Sequence, residues 1–470
     1  MTTPRSGHAS VAERMERGKA ARAEVPRSRH AGWEPGPGRD PLALLEKQAE
    51  SRLAELVPIR YGRMASSPFA FFRGAAYVMA ADLADTPDSG ITVQLCGDAH
   101  LSNFGGFAGP DRRLLFDLND FDETLPGPWE WDVKRLAASL AIAGRQSYFD
   151  ARTRRRIVLT TVERYRAAMR RFAGMRNLDV WYSHVDVDDA LSGAAEHIAK
   201  DSLRRARRNA AKAQRKDSMR ALAKLTTVVD GEPRIVGDPP LIVTADEILE
   251  SYGLGSREEL MDGVRELLRD YRGTLSSDRR HLVGGYRFVD LALKVVGVGS
   301  VGTRAWIVLL LGRDGEDPLF LQVKEAQRSV LEEFLHPSAY GNEGRRVVEG
   351  QRLMQAAGDI MLGWIRTEGL DGQERDFYVR QLWDWKMSAD VEGMDQKMLE
   401  LYGGLCGETL ARAHARSGDR VAIGAYLGSG DRFDRAIADF AEIYADHNES
   451  DYEALVNAIE SGRLPARMDL

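Results

Sequence analysis

The chain has 470 residues, 43% hydrophobic and 29% charged, with a formal net charge of −6 and a pI near 6.0. That length and apolar content suffice for a large buried core and two or three domains' worth of structure, and the acidic balance argues against a nucleic-acid coat or a polybasic membrane binder. Cys96 and Cys406 offer neither a disulfide framework nor a thiolate zinc site, and neither an apolar leader nor a spanning run of about 18 apolar residues is present, so a cytoplasmic protein is expected.

Residues 1–40, rich in Arg, Ser, Pro and Gly, read as a poorly ordered lead-in or an arm laid over the body. From Pro41, LALLEKQAESRLAELV has helical spacing, and FFRGAAYVMAADLAD after Pro68 predicts a second packed helix. ITVQL (91–95) is a short strand that stops at Cys96-Gly97-Asp98, and RLLFDL (113–118) is another. From Trp129 to Gly273 helical periodicity dominates, with a Gly/Pro-rich break at DGEPRIVGDPPLIV, so 41–278 is expected to form a helical lobe. Over 279–390, YRFVDLALKVVGVGSVGTRAWIVLLLG and DPLFLQVKEA alternate like antiparallel strands joined by glycines, NEGRRVVEGQRLMQAAG returns to helix, and FYVRQLWDW (377–385) is a further strand. Residues 391–470 close the chain as helices packed on the helical lobe.

Chemistry concentrates in two places. An acid just past a strand (Asp98), His100 beside it, an amide five positions on (Asn103) and further acids at Asp117, Asp120 and Asp122 provide hard oxygen ligands for Mg²⁺ and one carboxylate left over as base. The Asp98-to-Asn103 spacing matches the D-x-x-x-x-N of a kinase catalytic loop, where Asp takes the acceptor's proton and Asn holds a metal. Alone, such a loop reads as Asx side chains capping backbone groups. Second, VGVGSVGTR (296–304) lies between two strand-like runs, and Gly297, Gly299 and Gly302, with Ser300, permit close backbone approach to phosphates. Lys324, one strand downstream, is placed to reach a nucleotide, and Glu349 or its rival Glu343 is placed to pair with that lysine. The plainer reading makes Lys324 an edge-strand lysine and the glutamates a solvated helix face.

The basic stretch 202–224 suits an acidic partner, but without stacking aromatics a solvated helix is the simpler reading and nucleic acid is not expected. His414 reads as a cation or cap at a helix end, Cys406 as core, and Asp132 as a brace for the catalytic loop's backbone. HExxH, GxSxG and a Walker lysine are absent.

CGDAHLSNFG followed by LLFDLNDFDETLPGPWEWDVKRLA resembles the HGDxHxxN and IDFxDA…DLA signature of aminoglycoside and choline kinase-like phosphotransferases. Nearly the whole chain, from GKAARAEVPRS through SPFAFFRGAA and LQVKEA to LARAHARSGD, resembles an uncharacterised bacterial family known as domain of unknown function 2252. The first resemblance implies an ATP- and Mg²⁺-dependent phosphotransferase with Asp98 as base, Asn103 and Asp120 as metal ligands, and the glycine loop and Lys324 on ATP. Cys96 stands where that signature has His, and the catalytic loop precedes the glycine loop instead of following it. The expected fold is therefore α+β, a protein-kinase-like bilobal arrangement of a small antiparallel sheet lobe and a large helical lobe, circularly permuted. Asp117 suits the distance from Asn103, while Asp120 suits the D-F-D pattern. The alternatives are a non-catalytic nucleotide-binding pseudokinase and a metal-dependent phosphohydrolase; the acceptor, a small molecule, and the oligomeric state carry no signature.

Overall fold

Runs of β-branched and long aliphatic residues bounded by glycines build one six-stranded sheet in the computed structural model, which describes residues 9–468 apart from 197, 253–255, 296, 370 and 383. Its strands are β1 (Ile242–Thr244), β2 (Arg287–Lys294), β3 (Ala305–Leu311), β4 (Pro318–Ala326), β5 (Gly363–Glu368) and β6 (Glu374–Gln381), in the order β5-β6-β4-β3-β2-β1, every neighbouring pair antiparallel. Side chains of successive strand residues point to opposite faces. Along β3, Val308 and Leu310 enter a core with Leu321, Val379 and Tyr271, whereas Ile307 and Leu309 enter another with Phe320, Ala221 and Leu225. Both faces are thus covered by helices, Arg257–Gly273 on the first and Ser218–Leu225 on the second, which is why AWIVLLL reads as a continuous apolar run rather than an alternation. The β2–β3 hairpin, in register at Trp306 opposite Leu293, carries the glycine-rich loop at its tip.

The larger core is helical. Helix Trp129–Gln146 is buried over almost its entire length, because the alanines at 137, 138, 141 and 143 let neighbours approach on several sides. Helix Gln396–Ser417 crosses Ala151–Ala173 so closely that a Cβ on Gly407 would stand 2.4 Å from the Thr161 carbonyl oxygen. A methyl group there would force the two helices apart.

Of the two readings of the N-terminal segment, the arm laid over the body is the one seen: it is helical over Val11–Glu24, Ser10 and Glu13 close a capping box, and the helix packs on Arg420–Leu427, with Arg14 paired to Asp419 at 2.7 Å. Ser218–Leu225, Ile242–Thr244 and Arg257–Gly273, all expected in the helical lobe, pack on or pair with the sheet instead. Ile242–Thr244 pairs with β2, and helix Arg257–Gly273 covers the β5 side. The short run IVT lacks the length to show sheet pairing by itself. The chain is an α+β protein with small antiparallel sheets and no barrel among the described residues. Nor is any helix among them long and apolar enough to cross a membrane.

Candidate active site

Strand Thr92–Leu95 delivers the chain to a turn that only glycine tolerates. Gly97 has φ +82°, and a Cβ on it would lie 2.4 Å from the carbonyl oxygen of Glu123. The turn is held from behind by Asp132, in the first turn of helix Trp129–Gln146, whose carboxylate accepts the backbone N–H of Cys96 (2.9 Å) and of Gly97 (3.1 Å). His414 Nε2 approaches the same carboxylate at 3.2 Å, and its Nδ1 meets the Tyr165 hydroxyl at 2.9 Å. Asp132, His414 and Tyr165 are all buried. Asp132→Ala strands two main-chain donors at about 1–3 kcal/mol each, so a stability loss of about 3–5 kcal/mol is expected in denaturant unfolding, together with loss of activity. An unchanged midpoint would contradict this bracing role.

The braced turn presents Asp98. Its Oδ1 accepts from Arg135 Nε at 2.6 Å, and its Oδ2 lies 3.6 Å from His100 Nε2. His100 Nδ1 accepts the Ser102 backbone N–H at 3.2 Å, which leaves the ring proton on Nε2, facing Asp98. Burial, reinforced by the charges of Arg135 and Arg73, keeps the His100 pKa well below its ordinary value, so the imidazole is neutral. Burial also raises the Asp98 carboxyl, against the pull of Arg135. Asn103 Nδ2 donates to the Asp98 carbonyl at 2.8 Å, and the Asn103 carbonyl accepts from Asn119 N at 2.9 Å, joining this loop to the acidic loop 119–123.

Within the acidic loop the aspartates divide. Asp120 faces the cleft and, among the described residues, accepts only the Asp122 N–H, at 3.3 Å. Burial raises its carboxyl, and the neighbouring Asp122 charge adds to the shift. Asp122 is engaged by Lys324 and by the Tyr378 hydroxyl at 2.8 Å; burial opposes its charge, but Lys324 prevails and holds it below the usual carboxylate range. Asp117 is elsewhere: almost fully buried, it pairs with Arg412 and accepts Ala356 N at 2.9 Å, away from the cleft. Glu123, unnoticed in the sequence, lines the cleft, and burial pushes its carboxyl up to about 7 against the Val330 N–H it accepts.

A single cavity of about 970 Å³ is lined by Asp98, His100, Asn103, Asp120 and Asp122 on one side and by Gly297, Gly299 and Ser300 on the other. Ser300 Oγ reaches within 3.4 Å of Asp122 Oδ2, so the glycine loop and the acidic loop touch. Gly302, with φ +92°, does not line this cavity; its carbonyl accepts Leu53 N at 2.8 Å, anchoring the loop's far end. Lys324 itself is buried behind the cavity wall and reaches it through Asp122. Lys324 does not pair with the expected glutamate. Glu349 lies 3.4 Å from Arg352 and Glu343 lies 2.6 Å from Arg346, and Lys324 is satisfied by Asp122 instead. One carboxylate at this distance already neutralises a buried ammonium, and Asp122 holds it raised above its ordinary pKa despite burial.

The oxygen donors suit Mg²⁺. Among the described residues, no cationic side chain bonds Asp120, and Asn103, with Nδ2 donating to the Asp98 carbonyl, has no partner on its amide oxygen. Among the described residues there is no group of three or more His, Cys, Asp or Glu arranged as a metal cage.

No curated protein and no solved structure matches the chain. The model of one family, described as an uncharacterised protein conserved in bacteria, matches residues 52–458, a span that contains the Asp98 loop, the acidic loop, the glycine loop and His414. The chain belongs to this family, DUF2252.

Proposed function

We propose that this protein is an ATP- and Mg²⁺-dependent phosphotransferase of kinase-like, bilobal and circularly permuted build, acting in the cytoplasm on the hydroxyl or amine of a small molecule. The observation that carries the reading is the shared cavity: a poised carboxylate, an amide and acid suited to a metal, and a glycine-rich hairpin loop line the same space although they come from distant parts of the chain. Asp98 accepts the acceptor's proton, with Arg135 and neutral His100 holding the carboxylate in place. Gly297, Gly299 and Ser300 bring main chain close to the phosphates, and Lys324 fixes Asp122, which in turn contacts Ser300. Mg²⁺ held by Asn103 and Asp120 would neutralise phosphate charge. The remaining work is positioning, which suits phosphoryl transfer.

The test is calorimetric titration with ATP and Mg²⁺, followed by transfer of label from γ-labelled ATP to a small-molecule extract. Lys324→Ala is expected to weaken nucleotide binding by about tenfold or more, because it releases Asp122 and the glycine loop together. Phosphate release from phosphoesters that survives Lys324→Ala, with no nucleotide binding in the wild type, would replace this reading with a phosphohydrolase.

A further inference from the structure

Several cations line the cavity, and most are already neutralised. Lys47 holds Glu333 at 2.7 Å, Arg304 holds Glu325 and Asp371, Arg328 holds Glu332 at 3.0 Å, and Arg375 holds Asp371 and Glu325. Arg52 and Arg73 have no carboxylate in ion-pair contact among the described residues, and in each the Nε is buried without a hydrogen-bond partner. Both flank the glycine loop. A Cβ on Gly299 would stand 3.1 Å from the Arg73 carbonyl oxygen, and one on Gly302 would stand 2.9 Å from the Arg52 Cβ. Arg52 also donates through Nη1 to the Val301 carbonyl, and the Arg73 guanidinium lies close enough to Asp98 to feel its charge.

We propose that Arg52 and Arg73 form an anion subsite for the terminal phosphates of a polyphosphate ligand, with Arg73 holding the end group between the glycine loop and Asp98. A guanidinium that lines a cavity with no carboxylate in contact is suited to an arriving anion, and its planar fork matches phosphate oxygens better than a lysine does. Burial lowers both arginines from their ordinary pKa, Arg52 to about 10, against the pull of Glu123, Asp122 and Glu325 on Arg52 and of Asp98 and Glu392 on Arg73. Lys324, satisfied by Asp122 behind the wall, leaves this duty open. The ligand's identity as a nucleotide rests on the function proposed above; the charge of the subsite does not.

Inorganic tripolyphosphate is the probe, titrated calorimetrically into the full-length wild type, Arg73→Gln, Arg52→Gln and Arg73→Lys, with ATP as competitor. Wild type is expected to bind, Arg73→Gln and Arg52→Gln to bind at least about tenfold more weakly, and Arg73→Lys to fall between. If tripolyphosphate binding shows this pattern but ATP does not compete, the subsite stands and the nucleotide reading fails. Should the glutamine variants not fold, the guanidinium N–H resonances of ¹⁵N-arginine wild type, assigned with Arg73→Lys, are expected to shift on titration. Absence of tripolyphosphate binding by the wild type, equal binding by Arg73→Gln, or an Arg73 resonance that stays still would each overturn the proposal.

Discussion

Asp98→Asn is expected to lower turnover by about 10³-fold while leaving ATP affinity within about twofold. The amide oxygen of Asn still accepts from Arg135 Nε, so the loop keeps that hydrogen bond, while the variant loses both the capacity to take a proton and the charge opposite Arg135. The pH profile supplies a second, independent readout. Burial raises the Asp98 carboxyl, so the base ionises only above the ordinary aspartate range, and kcat/KM should fall with decreasing pH through that elevated value. In Asp98→Asn this acid limb should vanish from the residual rate. A variant that retains wild-type turnover removes Asp98 from the chemistry, whereas one that loses ATP binding as well makes it a structural residue.

The parts of the site written in consecutive residues could be read from sequence, and those assembled across the chain could not. Glycines at 297, 299 and 302 between two apolar runs locate the hairpin loop, because strand periodicity and turn chemistry are both local signals. The strand that ends at Leu95, just before the Gly97-Asp98 turn, is legible for the same reason. The bracing role of Asp132 could be inferred from its position at a helix start beyond the acidic loop, and its bonds to Cys96 and Gly97 are of that kind. His414 looked like an ordinary helix-end cation. Its partners Asp132 and Tyr165 lie 282 and 249 residues away, and no local pattern encodes such a distance. Lys324 illustrates the same limit: spacing pointed to the following helix and Glu349, while the actual partner, Asp122, lies 202 residues earlier. Arg52 and Arg73 sit in segments whose aliphatic and aromatic spacing announces only packing. The N-terminal helix, by contrast, had a readable signal in Ser10 followed three residues later by Glu13, and composition masked it.

Asp117 and Asp120, the two metal-ligand candidates of which the sequence favours Asp120, should behave as opposites. Asp117 is buried against an equally buried Arg412, and also accepts the main-chain N–H of Ala356 and of its own neighbour Leu118. Removing one member of a buried pair leaves an uncompensated charge, so Asp117→Ala is expected to cost about 3–5 kcal/mol in denaturant unfolding. Pairing Asp117→Ala with Arg412→Met should recover part of that loss, since the double variant has no orphaned charge. Asp120 faces the cavity, supports one long backbone bond at 3.3 Å, and has its charge raised in cost by burial and by Asp122. Asp120→Asn therefore relieves repulsion and should leave stability unchanged or slightly higher, while raising the Mg²⁺ concentration needed for half-maximal activity by about tenfold or more. Measuring unfolding midpoints and Mg²⁺ dependence on both variants separates the two roles. If Asp117→Ala proves stable but blind to Mg²⁺, the metal ligand is Asp117, and the cavity-facing carboxylate is only a neighbour.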